Sequence, residues 1–190
     1  MKYLLAFLAF FTLPAFAEIN GSVGATSQYV FRGVSQGEDP ALQVGITASS
    51  ENFYVSFWAS QVDIARDVHT EANYAFGVKA KGFDVGVLQY DYYGDDLELG
   101  DESREVYVGY AAGPFSAYAF QDMDTKDNYY NINASHSFDL VDVSVFAGHA
   151  EDYDHGGVKV SRSFNKFSLG YTFDYRRDAS EHSVGLFYNF

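Results

Sequence analysis

The sequence predicts an all-β protein, a transmembrane antiparallel up-and-down β-barrel of about 12 strands. Three observations carry that prediction. Large apolar or aromatic residues alternate with small or polar ones along most of the chain, the pattern of strands with one greasy and one wet face. The connections are of two alternating kinds, tight turns and longer acidic loops. The sequence closes on SVGLFYNF, a strand-like pattern whose last residue is aromatic.

In chain order, residues 1–17 read as a signal peptide. Lys2 supplies a positive start, Tyr3 to Leu13 an apolar stretch, Pro14 a break, and Ala15-Phe16-Ala17 a small-residue cleavage site before Glu18. The apolar stretch is short for a bilayer span, and a short N-terminal anchor helix fits the A-x-A site less well. Residues 18–190 are then expected to form a single barrel domain.

Strand-like segments fall near 19–31, 40–50, 53–61, 70–81, 83–93, 103–111, 115–123, 128–138, 141–150, 156–164, 167–176 and 182–190. Most have roughly the 9–11 residues of a transmembrane strand. Their even number suits a bacterial outer-membrane barrel. Phe167, Leu169, Tyr171, Phe173 and Tyr175 alternate with Ser168, Gly170, Thr172, Asp174 and Arg176. Tyr130, Ile132 and Ala134 alternate with Asn131, Asn133 and Ser135 in the same way. Alternation weakens in 83–93 and 103–121, which predicts a bulge or a second aromatic face there.

The tight connections are Ser50-Glu51-Asn52, Lys81-Gly82, Gly113-Pro114, Asp139-Leu140 and Asn165-Lys166. Four of them lead straight into phenylalanine, at Phe53, Phe83, Phe115 and Phe167. Such residues are expected to form a periplasmic aromatic girdle. The other connections are GEDP after Gln36, then VDIARDVH, GDDLELGDE, DMDTKDN, EDYDHGG and RDASE.

Composition removes several classes. Lys+Arg number 12 against 26 Asp+Glu, a net charge of −14, so nucleic acid is not an expected partner. There is no cysteine, hence no disulfide framework and no C-x-x-C metal or redox motif. After the first segment no apolar run approaches the roughly 18 residues of a membrane helix. A soluble β-sandwich or lipocalin-like barrel would also alternate, with its greasy face inward. The signal peptide, the two-sided connections and the C-terminus favour the membrane.

Ser183, Gly185, Tyr188 and Phe190 make the pattern polar-x-Gly-x-x-aromatic-x-aromatic. This resembles the outer-membrane assembly signal, which the barrel-assembly machinery takes up by strand addition. Val184, Leu186, Tyr188 and Phe190 would face lipid, and the last strand would close on the first, because an open edge is not tolerated in hydrocarbon.

Residues 27–45, SQYVFRGVSQGEDPALQVG, resemble the opening motif of the TorF-type porin family of proteobacteria. The shared segment is aromatic-x-Phe-Arg-Gly-x-Ser-Gln followed by Pro-Ala-Leu-Gln. Residues 53–64, FYVSFWASQVDI, are similar to the family's second motif through Trp58, Ser60, Val62 and Asp63. The resemblance implies an outer-membrane barrel and leaves the solute unnamed.

By alternation, Gln43, Asn73, Lys79, Asn131, Asn133, Lys159, Asp174 and Arg176 are expected to line the lumen. Lys79, Lys159 and Arg176 either form a basic ladder that selects anions or pair with Glu71, Asp84, Glu105 or Asp174 to brace the wall; pairing is favoured, because lone interior charges are costly. Arg32 either folds into the lumen with Asp63 as a constriction or, the favoured reading, holds the first loop by hydrogen bonds. The acidic stretches at Asp95, Asp96, Glu98, Asp101 and Glu102, and at Asp122, Asp124 and Asp127, lack the glycine and ligand spacing of a calcium loop. They read as a solvated acidic rim. No metal or cofactor is expected.

The function expected is passive diffusion of small hydrophilic solutes through a narrow lumen, in the outer membrane of a Gram-negative bacterium, with both termini periplasmic. Outer-membrane lipid, lipopolysaccharide and the assembly machinery are the expected partners. A pore-free structural or adhesive barrel is the alternative, since this strand number lies between filled and open barrels. An outer-membrane hydrolase is less favoured, because no G-x-S-x-G occurs and no Ser-His-acid set is recognisable.

Overall fold

The computed structural model describes residues 18–64, 68–94 and 102–190. The strands are β1 (Glu18–Thr26), β2 (Val30–Phe31), β3 (Val34–Ser35), β4 (Ala41–Ser49), β5 (Phe53–Ile64), β6 (Val68–Ala80) and β7 (Phe83–Gly94). They continue as β8 (Glu102–Ala112), β9 (Phe115–Asp122), β10 (Asn128–Ser137), β11 (Asp142–His149), β12 (Asp154–Phe164), β13 (Phe167–Arg176) and β14 (Ala179–Asn189). β1 and β4 to β14 close into one antiparallel barrel, each strand beside its neighbour in sequence, while β2 and β3 form a separate hairpin.

The seam joins β1 to β14 in register from Ser22↔Asn189 to Thr26↔Gly185. Gly21 and Phe190 exchange two backbone hydrogen bonds of 2.9 Å at its end. The Phe190 ring lies over Gly21, where a Cβ would come within 2.5 Å of it. No strand edge of the barrel is left unpaired, which is what a hydrocarbon environment demands.

The outward face is apolar. Ile19, Leu42 and Ile132 each expose 61–63 % of their surface, and Phe53, Phe83, Phe115 and Phe167 form an exposed ring at the tight turns. The inward face holds the buried polar groups, among them Ser60, Glu71, Asp84, Glu105, His155 and Asp174. A water-soluble barrel would carry the reverse arrangement. This one presents its greasy face to lipid.

Three expectations about the strands need correction. The first segment, read as 19–31, ends as a barrel strand at Thr26, and the chain beyond it makes the β2–β3 hairpin. The longer connections are shorter than their acidity suggested: β5 runs to Ile64, β6 begins at Val68 and β14 begins at Ala179. Backbone pairing does not depend on side-chain polarity, so the ladder continues through polar residues. The register shifts fall between Gln61 and Ile64 and between Val68 and Thr70, not in 83–93. Weak alternation there reflects the second aromatic face: Tyr90, Tyr92, Tyr107, Tyr118 and Phe120 share the inward parity of Asp84 and Glu105. The signal-peptide residues 1–17 and the acidic residues 95–101 lie outside the described residues.

Candidate functional site in the lumen

The segment after β1 turns into the barrel. Phe31-Arg32-Gly33-Val34 is a two-residue hairpin loop, with φ of 50° at Arg32 and 77° at Gly33. Two positive φ values mark a type I′ loop, which glycine suits at its second position. The wall holds the base of this hairpin. Gln28 Nε2 donates to Ser35 Oγ and to Glu181 Oε2, both at 2.9 Å. The Asp63 backbone N–H donates to the Gln36 carbonyl at 2.7 Å. Gly33 lies against His155, where a Cβ would sit 2.7 Å from the His155 Cβ.

Arg32, at the hairpin tip, reaches β8. Its Nη1 and Nη2 each donate to a Glu105 carboxylate oxygen at 2.7 Å. Tyr90 donates its hydroxyl to Glu105 Oε2 at 2.9 Å. The guanidinium lies 4.1 Å from the Tyr129 ring centre, 4.8 Å from Phe31 and 4.9 Å from Phe120. A planar cation that both forks a carboxylate and stacks on rings is a task for arginine rather than lysine. Burial pulls the guanidinium pKa down, and the hydrogen-bonded Glu105 carboxylate more than offsets this, so it ends above its ordinary value.

His155 continues the network. Its Nδ1 donates to Asp174 at 2.9 Å, so its Nε2 accepts from the Tyr129 hydroxyl at 2.8 Å. Tyr107, Phe120, Tyr129 and His155 then form a chain of ring contacts 5.5–5.9 Å between centres. This cluster and the hairpin occupy the loop-side end of the lumen.

The turn-side half is organised around Asp84. Tyr54 and Tyr118 donate to its two oxygens at 3.0 and 3.2 Å, and the Tyr54 and Tyr107 hydroxyls bond each other. Each tyrosine lies flat over a glycine directly opposite on the next strand: Tyr54 on Gly77, Tyr107 on Gly86 and Tyr118 on Gly109. Lys79 Nζ stands 3.7 Å from Asp84 and 4.7 Å from the Tyr54 ring centre, with its side chain 64 % exposed.

The residues read from alternation take the following places. Gln43 Nε2 donates to Ser60 Oγ at 3.2 Å, Asn73 Nδ2 to Glu71 at 2.8 Å and Asn131 Nδ2 to the Ala147 carbonyl at 3.3 Å. Asn133 accepts from Ser144. Lys159 is exposed and sits opposite Ser144 and Thr172. Asp174 serves His155, and Arg176 lies 5.3 Å from the Tyr153 ring centre. Lys79 stands at the turn end of β6 and Arg176 at the loop end of β13. Asp63 is exposed, and Arg32 takes Glu105 instead. Asp122 bonds the Asp124 and Thr125 backbone N–H groups at 2.7 and 2.8 Å, an ordinary turn cap. Sequence alternation alone does not single out Tyr90, Tyr129 or His155, and His155 falls in the predicted connection EDYDHGG, whereas β12 begins at Asp154.

A family model described as "Bacterial protein of unknown function (Gcw_chp)" matches residues 14–188. No curated protein matches the sequence. Among solved structures, a KdgM porin resembles the chain with a TM-score of 0.63 at 12 % identity, covering 90 % of this chain and 99 % of the porin. A KdgM porin in complex with disordered oligogalacturonate gives 0.61 at 12 % identity, covering 90 % and 98 %. At such identity the likeness is one of fold, a porin-like outer-membrane barrel.

Proposed function

We propose a function on the premise that this chain belongs to the Gcw_chp family, bacterial proteins of unknown function. It is a narrow porin of the Gram-negative outer membrane, with both termini periplasmic, through which small hydrophilic solutes diffuse passively around the Arg32 hairpin. The TorF-type motif resemblance agrees with this reading. Lipid and lipopolysaccharide would surround the apolar face, and the assembly machinery would take up the strand that ends at Phe190.

One observation carries the reading. Lys79 and Lys159 point inward and are nonetheless exposed, so the turn-side half of the lumen is hydrated. The loop-side end is narrowed by a hairpin held by hydrogen bonds and ring contacts. The chain's acidic excess, 26 Asp+Glu against 12 Lys+Arg, favours cations and neutral solutes over polyanions.

Single-channel recording in a planar bilayer with a salt gradient tests this. Small ohmic steps and a cation-selective reversal potential are expected. Silence from correctly folded protein, and from an Arg32→Ala variant as well, would reject the porin.

A pore-free barrel with binding loops is the second reading, and the tightness of the Arg32 cluster favours it. Such a barrel would be silent in the bilayer and would lose binding when its loops are changed. A hydrolase has less support: the buried His155–Asp174 pair directs its second nitrogen to a tyrosine hydroxyl, not to a serine.

A further inference from the structure

Glu71 is a buried carboxyl group with no cationic partner among the described residues. It is 0 % exposed. Its Oε1 accepts Asn73 Nδ2 at 2.8 Å. The Tyr29 hydroxyl also interacts with this carboxyl group, yet neither Oε2 nor Asn73 Oδ1 has a partner within hydrogen-bond distance. The other buried inward carboxylates are matched: Arg32 meets Glu105, Lys79 meets Asp84 and His155 donates to Asp174.

Polar and aromatic side chains surround Glu71. Across β5 and β6, Ser60 faces Glu71 and Trp58 faces Asn73. Ser60 is itself buried, at 2 % exposure. From the first loop, the Tyr29 ring packs 5.1 Å from Trp58 between centres. Burial, and then the neighbouring Glu71 charge, push the Tyr29 phenol well above its ordinary pKa, as expected for a hydroxyl laid against a carboxylate.

Two adjacent oxygens that only accept hydrogen bonds need either donors or a positive charge. A neutral donor would satisfy the oxygens and leave the buried charge uncompensated. A cation does both. One carboxylate with amide and hydroxyl oxygens is a hard donor set, suited to a hard ion. A single formal charge matches a monovalent ion. Among the described residues no three His, Cys, Asp or Glu side chains gather as a metal site, so the several carboxylates typical of a divalent site are absent there.

We propose that Glu71 and Asn73, with Tyr29 laid over them, bind one small monovalent cation inside the barrel wall. The ion neutralises the wall under the first loop and ties that loop to β5 and β6. The site needs no flow through the lumen, so it stands or falls separately from the porin reading.

Thermal unfolding tests it. Protein purified from membranes in neutral detergent is heated in sodium, potassium or ammonium chloride, and in N-methylglucamine chloride at equal ionic strength. The folded and unfolded bands are followed on a gel. At least one small cation should raise the midpoint saturably, by roughly 4 °C. The rise should vanish in Glu71→Gln and in Asn73→Leu, and persist in Asp84→Asn. A wild-type midpoint indifferent to cation identity overturns the proposal, and needs no variant to fold. A rise that survives Glu71→Gln overturns it too. Indifference would instead mean a Glu71 that keeps its own proton and gives it to Asn73 Oδ1. Bilayer recordings report separately on the porin, because a silent lumen leaves the midpoint result standing.

Discussion

Arg32 and Glu105 lie 73 positions apart in the chain and meet inside the barrel through two 2.7 Å hydrogen bonds. The pair is the anchor of the inward hairpin. Replacing Arg32 by alanine strands Glu105 as a buried charge unless the loop leaves. Stability should fall by about 3 kcal/mol, read from the urea midpoint of refolded protein. Residues 27–40 should become open to protease, and any conductance should grow. Unchanged protease resistance would show that the hairpin is held elsewhere.

Gly33 and Gly113 both have positive φ, at 77° and 58°, but differ in their surroundings. Nothing lies within 4 Å of a Cβ at Gly113, whereas one at Gly33 would strike His155. Gly113→Ala should cost about 1 kcal/mol, the backbone strain alone. Gly33→Ala should cost clearly more and loosen the hairpin. Equal losses in the two unfolding curves would refute the contact with His155.

Space rather than φ governs the glycines beneath the tyrosines. A Cβ at Gly109 would lie 2.2 Å from the Tyr118 ring, while at Gly45 the nearest atom is 3.4 Å away. Gly109→Ala should cost roughly 1–3 kcal/mol and change the near-ultraviolet circular dichroism as Tyr118 shifts. Gly45→Ala should stay within about 0.5 kcal/mol.

Tyr129→Phe removes the hydroxyl that His155 Nε2 accepts and leaves that nitrogen buried without a donor. The expected loss is about 1–2 kcal/mol. A matching loss in His155→Phe, and no further loss in the double variant, would confirm that the two groups act as one unit.

Phe190 covers Gly21 at the seam. Phe190→Ala keeps the backbone pairing but removes that cover and the last aromatic of the assembly pattern. Barrel formation in cells should slow, seen as a smaller heat-modifiable fraction. Normal yield and rate would separate Phe190 from assembly.

Much of the wall was legible, because a strand between lipid and a polar lumen writes its two faces into every second residue. Phe167 to Arg176 reads off directly. The girdle was legible for a similar reason: tight turns precede Phe53, Phe83, Phe115 and Phe167. The plug was only half legible. Arg-Gly at 32–33 suits a hairpin tip, yet the alternation of residues 19–31 runs on into the hairpin and hides the end of β1 at Thr26. The partner of Arg32 was out of reach, since Asp63 and Glu105 are equally acidic and only closure of the barrel selects between them. Interior tyrosines were half legible: weak alternation allowed a bulge or a second aromatic face, and the opposing glycines that give the rings room decide for the second.

The hairpin also sets an order of events. Its contacts reach Tyr90 on β7, Glu105 on β8, Phe120 on β9, Tyr129 on β10 and His155 on β12. It is carried by β1, whose outer edge is the seam with β14. The seat spans β7 to β12 while the strand that carries the hairpin is β1, so its seating waits for contacts far apart in sequence, which are made slowly. Sealing the seam and narrowing the lumen therefore both fall to the first strand and the hairpin that follows it.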